Sequence, residues 1–387
     1  MPNNKNPFTP IFGSEPLFLA GREQIIEDIL GGLENGPGDP NRISILTGPR
    51  GSGKTVLLTI IANEASKIGW VSASVTALPG MMEKILEQIE QNGKEFLPAK
   101  AKRRLTEIHA FGVGFSIENI EARKPSWRLQ MTRYLELFSE YKIGILLTVD
   151  EIDVRQPEMV ELVSDFQHFI REKLNIALIM AGLPGKTLQM FHDGSISFVR
   201  RAFQHNLEPI HMSDVKAAIQ KTVESSGKKI ETAALESAAS FSEGFPFLIQ
   251  LVGYHAWRQS GDKKNISLTD VGRGIESSEE YMNRMILDTT IRELSEGDRA
   301  FLIAMLPDEG ESRMSDITNR LGISTNLAGQ YRLRMIKQGI VEEYGRGRVQ
   351  FAMPLLKKYL AKINPSVWNH PGSDNTEKYL TRANNLF

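Results

Sequence analysis

Hydrophobic positions along the chain fall into two regimes. In the first, short unbroken apolar runs at 43–46, 71–75, 143–149 and 176–181 alternate with stretches of helical periodicity. Runs of this kind predict parallel strands covered by helices on both faces. Ahead of them, GREQIIEDILGGL places Ile25, Ile26, Ile29 and Leu30 at helical spacing, and ENGPGDPN (34–41) ends that helix. One stretch breaks the rhythm: KAKRR (100–104) followed by FGVGFSIENI (111–120), for which an inserted hairpin is one reading. In the second regime, from about residue 213, the pattern is helical. Ser213 and Thr232 are expected caps, Gly244-Phe245-Pro246 opens a further helix, and a long polar helix is expected over 267–293.

The last part of the chain reads as three helices and a hairpin. SEGDRAFLIAML and SDITNRLG form the first two helices, and the third runs from Thr325 until Gly339 stops it. Residues 340–344 then pair with 348–353 across Gly345-Arg346-Gly347, the latter with Val349, Phe351 and Met353 alternating. This order is that of a helix-turn-helix with a wing. On the third helix Leu327, Ala328, Tyr331 and Met335 share an inward face. The other face collects Asn326, Gln330 and Lys337, with Arg334 at its margin. The expected division is an N-terminal arm (1–16), an α/β core (17–210), a helical lid with linker helix (211–294), the three-helix unit (295–363) and a mobile polar tail (364–387).

Composition changes this picture in two places. Among 387 residues there is no cysteine, which removes disulfides, thiolate zinc sites and cysteine nucleophiles together. No apolar run approaches a membrane span and the start lacks an export signal, so a cytoplasmic protein is expected. The 46 basic and 47 acidic residues leave a net charge of −1, which argues against a wholly basic nucleic-acid protein. That total is an average. Residues 313–358 hold nine basic residues against three acidic ones, a surplus of six, so the rest of the chain carries −7.

Two motifs carry chemistry. Gly48-Pro49-Arg50-Gly51-Ser52-Gly53-Lys54-Thr55 has the GxxxxGK(S/T) pattern, behind a strand and ahead of a helix that starts with Val56. Glycines let backbone N–H groups wrap phosphate oxygens, and the helix N-terminus adds a favourable dipole. Lys54 then reaches the β- and γ-phosphates, and the Thr55 hydroxyl ligates Mg²⁺. The second motif is an apolar strand ending in Asp150-Glu151-Ile152-Asp153. An Asp at such a tip holds the Mg²⁺ shell, and a following Glu orients or deprotonates the attacking water. Asp153 reads as a helix cap or surface residue.

With these motifs in place, the chain resembles the AAA+ ATPases, in the branch shared by origin-recognition-like initiators and STAND-type signalling ATPases. The likeness rests on PLFLAGREQIIEDIL, GPRGSGKT, ILLTVDEID, SFVRRAFQHNLEPI and GFPFLIQLVG, followed by the C-terminal unit. It implies an α/β P-loop parallel-sheet ATPase core with an α-helical lid and a C-terminal winged helix, binding ATP or ADP with Mg²⁺. It further implies that Gly21 and Arg22 lie over the adenine, that Pro246 belongs to the lid's nucleotide contact, and that Arg200 or Arg201 is an arginine finger for a neighbouring subunit in a homo-oligomer. A surface arginine pair is the other reading of the last two. Three departures stand out. No polar water-sensing residue is evident after the strand at 176–181, the lid has Gly-Phe-Pro where initiators carry an arginine, and Met353-Pro354-Leu355 replaces the Met-His-Asp of signalling members.

These features predict a slow, nucleotide-driven switch acting on double-stranded DNA through the winged helix. Asn326 and Gln330 are suited to adenine edges, Arg334 and Lys337 to guanine or phosphate, and Arg346 and Arg348 to the backbone beside the wing. The alternative is a signalling or assembly ATPase whose winged helix contacts protein, which Leu333 on the polar face favours. KAKRR reads as a solvated face, and Trp127, Trp257 and Trp368 as packing residues.

Overall fold

A computed structural model describes residues 5–11, 13–113 and 125–364. The core opens with helix α1 (Glu23–Asn35), followed by β1 (Ile43–Thr47), α2 (Lys54–Lys67), β2 (Trp70–Thr76), α3 (Met81–Gly93), α4 (Ala99–Val113) and α5 (Trp127–Ser139). It continues with β3 (Gly144–Asp150), α6 (Pro157–Arg171), β4 (Ile176–Gly182), α7 (Pro184–His192) and β5 (Phe203–Asn206). The five strands are parallel in the order β2-β3-β4-β1-β5. Ile45, Leu147, Leu178 and Met180 pack on one face of this sheet, while Leu46, Leu146, Ala177 and Ile179 pack on the other. That two-sided burial is why the strands read as unbroken apolar runs. The order leaves β1 between β4 and β5, so the turns after β1, β3 and β4 converge at one edge, where open parallel sheets bind ligands.

The four predicted strands are present with ends shifted by at most one residue, and β5 is additional. It is an edge strand whose sequence, Phe-Gln-His-Asn, buries only His205 and so lacks an apolar run. The predicted hairpin is not formed at its start, because α4 continues to Val113; residues 114–120 lie outside the described residues. KAKRR lies on α4, where Arg104 pairs with Glu140 at 2.6 Å.

A helical unit follows: α8 (Met212–Ser225), β6 (Lys229–Ile230), α9 (Thr232–Ser242), α10 (Pro246–Ser260), β7 (Asn265–Ile266), α11 (Leu268–Met282) and α12 (Asp288–Arg292). The N-cap positions of α8 and α9 are His211 and Glu231, not Ser213 and Thr232; His211 Nδ1 accepts from the Ser213 N–H, while Glu231 makes no side-chain cap to α9. The long polar helix starts where expected, with a reciprocal Ser267–Asp270 capping box, but a π-turn over 283–287 separates α11 from α12.

The last unit comprises α13 (Glu296–Met305), β8 (Ser312–Arg313), α14 (Met314–Leu321), α15 (Thr325–Lys337), β9 (Val341–Glu343), β10 (Arg348–Phe351) and α16 (Leu356–Ile363). Its sheet is antiparallel, in the order β8-β10-β9. Ser295 and Ser324 cap α13 and α15, and Gly339, with φ of 69°, ends the turn after α15. Ala328 and Met335 are buried as the periodicity requires, and Leu333 remains 64% exposed. Trp127 and Trp257 are core residues, whereas Trp368 and the tail from 365 lie outside the described residues. Among the described residues no helix is long and apolar enough to cross a membrane.

Candidate functional site

The turn between β1 and α2 is a tight backbone cradle. Gly51 and Gly53 have φ of 80° and 88°, a region in which a Cβ is strained. Gly48 is excluded from substitution by space, since a Cβ there would sit 2.6 Å from Ser52 Oγ and 3.1 Å from the Leu207 carbonyl oxygen. The Ser52 hydroxyl is buried with no hydrogen-bond partner, so the cradle contains an unsatisfied polar atom. Lys54 turns back over the loop and donates to the carbonyls of Gly48 (2.9 Å) and Pro49 (2.8 Å). Burial pulls its ammonium from the ordinary 10.5 down to about 8, with Asp150 and Glu151 opposing that shift and Arg50 adding to it.

Opposite the cradle is the end of β3. The Thr55 hydroxyl donates to Asp150 Oδ2 at 2.5 Å, and Asp150 Oδ1 accepts from the Glu151 N–H at 2.8 Å. A hydroxyl and a carboxylate converging on one point are the oxygen donors a hard divalent cation uses, so the residues present fit Mg²⁺. Glu151 has φ of 54°, a left-handed conformation that a side-chain-bearing residue rarely adopts. Strain of this kind persists where surrounding structure holds it, and it gathers at functional turns.

The lid covers the cradle from the other side. Pro246, first residue of α10, lies so close that a Cβ on Gly53 would be 3.4 Å from its Cγ, and Phe247 stands over Gly51. Gly21 adopts φ of 58° against α8, where a Cβ would meet Asp214 Oδ2 at 3.0 Å. Arg22 donates to the Glu208 carbonyl; its Nε is buried and unpartnered, and burial lowers its pKa. Between lid and core lies a cavity of about 890 Å³, lined by Arg22, residues 50–57, Asp150, Glu151 and Pro246. Most of the predicted nucleotide and metal residues thus line one space, whereas Gly21, Gly48 and Pro49 are not part of its lining.

The rest of the lining was not anticipated. The arm crosses the cavity. Phe8 is buried in the lid, Asn6 Nδ2 donates to the Tyr254 carbonyl (2.9 Å) and the Thr9 N–H to Gln250 Oε1 (3.0 Å). At its other end Asn63 of α2 donates to Glu15 (2.7 Å). Asp153 is neither a helix cap nor a surface residue. It lines the cavity, 18% exposed, and accepts from both Arg155 and Lys186, while α6 is preceded by Gln156. Arg155 first, then Lys186, hold its carboxyl well below the usual range.

The C-terminal unit also reaches this space. Arg334, Lys337 and Gln338 line the cavity, and the end of α15 packs on the start of α7, where a Cβ on Gly185 would lie 2.9 Å from the Ile336 carbonyl oxygen. The predicted DNA residues are accordingly dispersed. Asn326, Gln330 and Arg346 are exposed, Arg334 pairs with Asp298 (2.7 Å) and lies over the Tyr331 ring, Arg348 pairs with Glu311 (2.8 Å), and Lys337 faces the cavity. Arg200 and Arg201 are exposed and absent from the cavity lining; the Arg200 Nε donates to the Phe191 carbonyl at 2.5 Å.

Residues 39–191 match a family described as an AAA domain, and residues 284–360 match a domain of unknown function, DUF8462. No curated protein matches the chain. Among solved structures, the Walker-type ATPase of Pyrococcus abyssi is similar with a TM-score of 0.63 at 18% identity, over 88% of this chain and 96% of that one. Cdc6p from Pyrobaculum aerophilum is similar with a TM-score of 0.48 at 16% identity, over 94% of this chain and 98% of that one. At these identities the first likeness shows a shared fold.

Proposed function

We propose that the chain, whose residues 39–191 match an AAA domain, is an ATP-driven switch whose C-terminal unit, read as a winged helix, is freed or held according to the nucleotide. The observation that carries this reading is the placement of α15 beside the nucleotide cavity, with Lys337 and Gln338 in its lining. A helix cannot present the same side chains to a cavity and to a DNA groove. Lys337 can therefore serve the cavity or DNA but not both at once, while Asn326, Gln330 and Arg346 stay exposed in the docked state, and a ligand that binds the two placements of α15 differently shifts their balance. The winged-helix reading is supported by the element order and by the β8-β10-β9 sheet, and the DNA reading by the local surplus of six positive charges.

In this reading the loop N–H groups and Lys54 bind the phosphates, while Gly21, Arg22 and the lid enclose the base. Thr55 and Asp150 would hold Mg²⁺, which would supply positive charge against the phosphates. Glu151 orients the attacking water and takes its proton. Turnover by the isolated chain is slow, below about 1 per second, near the bottom of ordinary enzyme rates. Its own Arg200 and Arg201 are exposed and do not line the cavity; in this reading one of them serves the site of a neighbouring copy.

Fluorescence anisotropy with labelled duplex DNA tests the switch. With a non-hydrolysable ATP analogue the chain should bind DNA more tightly than with ADP, and affinity should fall with salt at a log–log slope of about −0.9 per phosphate neutralised. No DNA binding in either nucleotide state would overturn the DNA reading. It would leave the protein-binding alternative, for which the exposed Leu333 and Tyr344 are the surface evidence.

A further inference from the structure

Helices α11 and α12 form one rod interrupted by the π-turn at Asn283–Leu287, whose sequence, Asn-Arg-Met-Ile-Leu, has no proline or glycine to force it. A π-turn holds one residue more than an α-turn, so closing it would rotate everything that follows by about 100°. Such turns are rare and are frequently found at functional sites. This one stands where the rod passes between two hydrophobic cores. Upstream, Val271 and Ile275 pack in the lid with Val252 and Ala256. Downstream, Leu287, Ile291 and Leu294 pack with Phe301, Ile303 and Ile317 of the C-terminal unit, a core that Met282 already enters directly before the turn.

The turn also faces the nucleotide cavity, which Met282 and Ile286 help to line. Tyr281, beside it on α11, meets Phe247 with ring centroids 6.5 Å apart. Phe247 in turn stands over the phosphate loop, its Cβ 3.6 Å from the place a Cβ on Gly51 would take. A continuous path of contacts therefore joins the phosphate loop to the π-turn. On another side α16 bridges the two halves of the rod. Lys358 pairs with Glu279 of α11, and the Tyr359 hydroxyl donates to Asp288 Oδ1 of α12 at 3.1 Å. The Lys358 side chain is largely exposed, and an exposed ion pair costs little to break, so this bridge does not lock the joint.

We propose that the π-turn at 283–287 is the joint about which the C-terminal unit moves relative to the lid, and that the Phe247–Tyr281 contact sets this joint according to what occupies the phosphate loop. Tyr281 is a positioning residue: it does not line the cavity and acts through Phe247, which does. The proposal rests on the switch reading above and adds to it the moving part and its coupling to the nucleotide.

Because the chain has no cysteine, one pair of spin labels can be placed on the full-length protein through Lys67→Cys on α2 and Leu333→Cys on α15, both exposed positions. The distance between the labels is measured with ADP and with a non-hydrolysable ATP analogue, and should differ between the two. Tyr281→Ser, which removes the ring, should leave both nucleotide affinities within about twofold and shrink that difference by about half or more. Tyr281→Phe, which keeps the ring, should preserve it. Deletion of the exposed Met285 should close the π-turn into α-helix and give one distance with either nucleotide. A full-sized difference in Tyr281→Ser or in the deletion variant would overturn the proposal and leave the switch standing. Weakened nucleotide binding in Tyr281→Ser would assign the ring to the site itself and overturn its role as a relay. A labelled parent that binds both nucleotides at one distance, or binds neither, would overturn the switch and the joint with it. If the deletion variant does not fold, the contrast between Tyr281→Ser and Tyr281→Phe decides.

Discussion

Lys54 sets the behaviour of the phosphate cradle with pH. Its ammonium must be charged to bind phosphate, yet burial has lowered its pKa to about 8 in the free chain. On the proposed nucleotide reading a bound triphosphate restores the charged form, so binding above pH 8 should require proton uptake. Nucleotide affinity should be flat below about pH 8 and then fall by up to tenfold per pH unit. Calorimetry in buffers of different ionisation heat reads both the affinity and the proton. An affinity that is unchanged between pH 7 and 9.5 would contradict the assignment. Folding stability has the opposite trend. The folded pKa lies below the ordinary 10.5, so the charged lysine opposes folding fully below pH 8, and that penalty is lost as pH rises toward 10.5. Lys54→Ala should abolish ATP binding, and Glu151→Gln should retain binding while removing hydrolysis, both measurable by nucleotide titration and phosphate release. These two residues were legible in the sequence because each belongs to a contiguous motif. Lys186 and Asp153 were not, since they lie 33 positions apart and meet only through the order of strands in the sheet.

At the scale of elements, apolar runs revealed the strands buried on both faces and missed β5, whose exposed edge needs no such run. The same limit hid the docking of the N-terminal arm. Asn, Pro and Gly in residues 1–16 suggested a segment with little to pack, but Phe8 fits against α10 where Gly253 leaves room. A Cβ at 253 would lie 2.4 Å from the Phe8 ring, too close for either to remain in place. Gly253→Ala should therefore displace the arm, at a cost of about 1–3 kcal/mol typical of overpacking, and uncover one side of the cavity. Hydrogen exchange over residues 5–11 should accelerate, and bound nucleotide should leave several-fold faster. If exchange accelerates and the nucleotide off-rate stays the same, the arm contributes to lid stability and not to retention of the ligand.

For the whole molecule, the unequal charge of the two ends and the position of α15 bear on the same question. Amphipathic spacing identified which face of α15 packs within its own unit, but such a pattern does not say which neighbour the remaining face meets. The fold places the end of that helix against α7, with no room at Gly185 for a side chain and with Gly339 against Leu183. At Gly185 the obstacle is the backbone carbonyl of Ile336, which no rotamer change can move aside, so Gly185→Ala should push the C-terminal unit off the core. If docking is what withholds the basic helix, this variant should bind duplex DNA in the presence of ADP about as well as the wild type does with the ATP analogue. The nucleotide dependence of DNA affinity should shrink toward none. Light scattering on the same samples separates the other route to a nucleotide effect, since assembly through Arg200 or Arg201 would raise the mass with the ATP analogue in both proteins. DNA affinity that rises only with that mass, and stays nucleotide-dependent in Gly185→Ala, would assign control to assembly and not to release of α15.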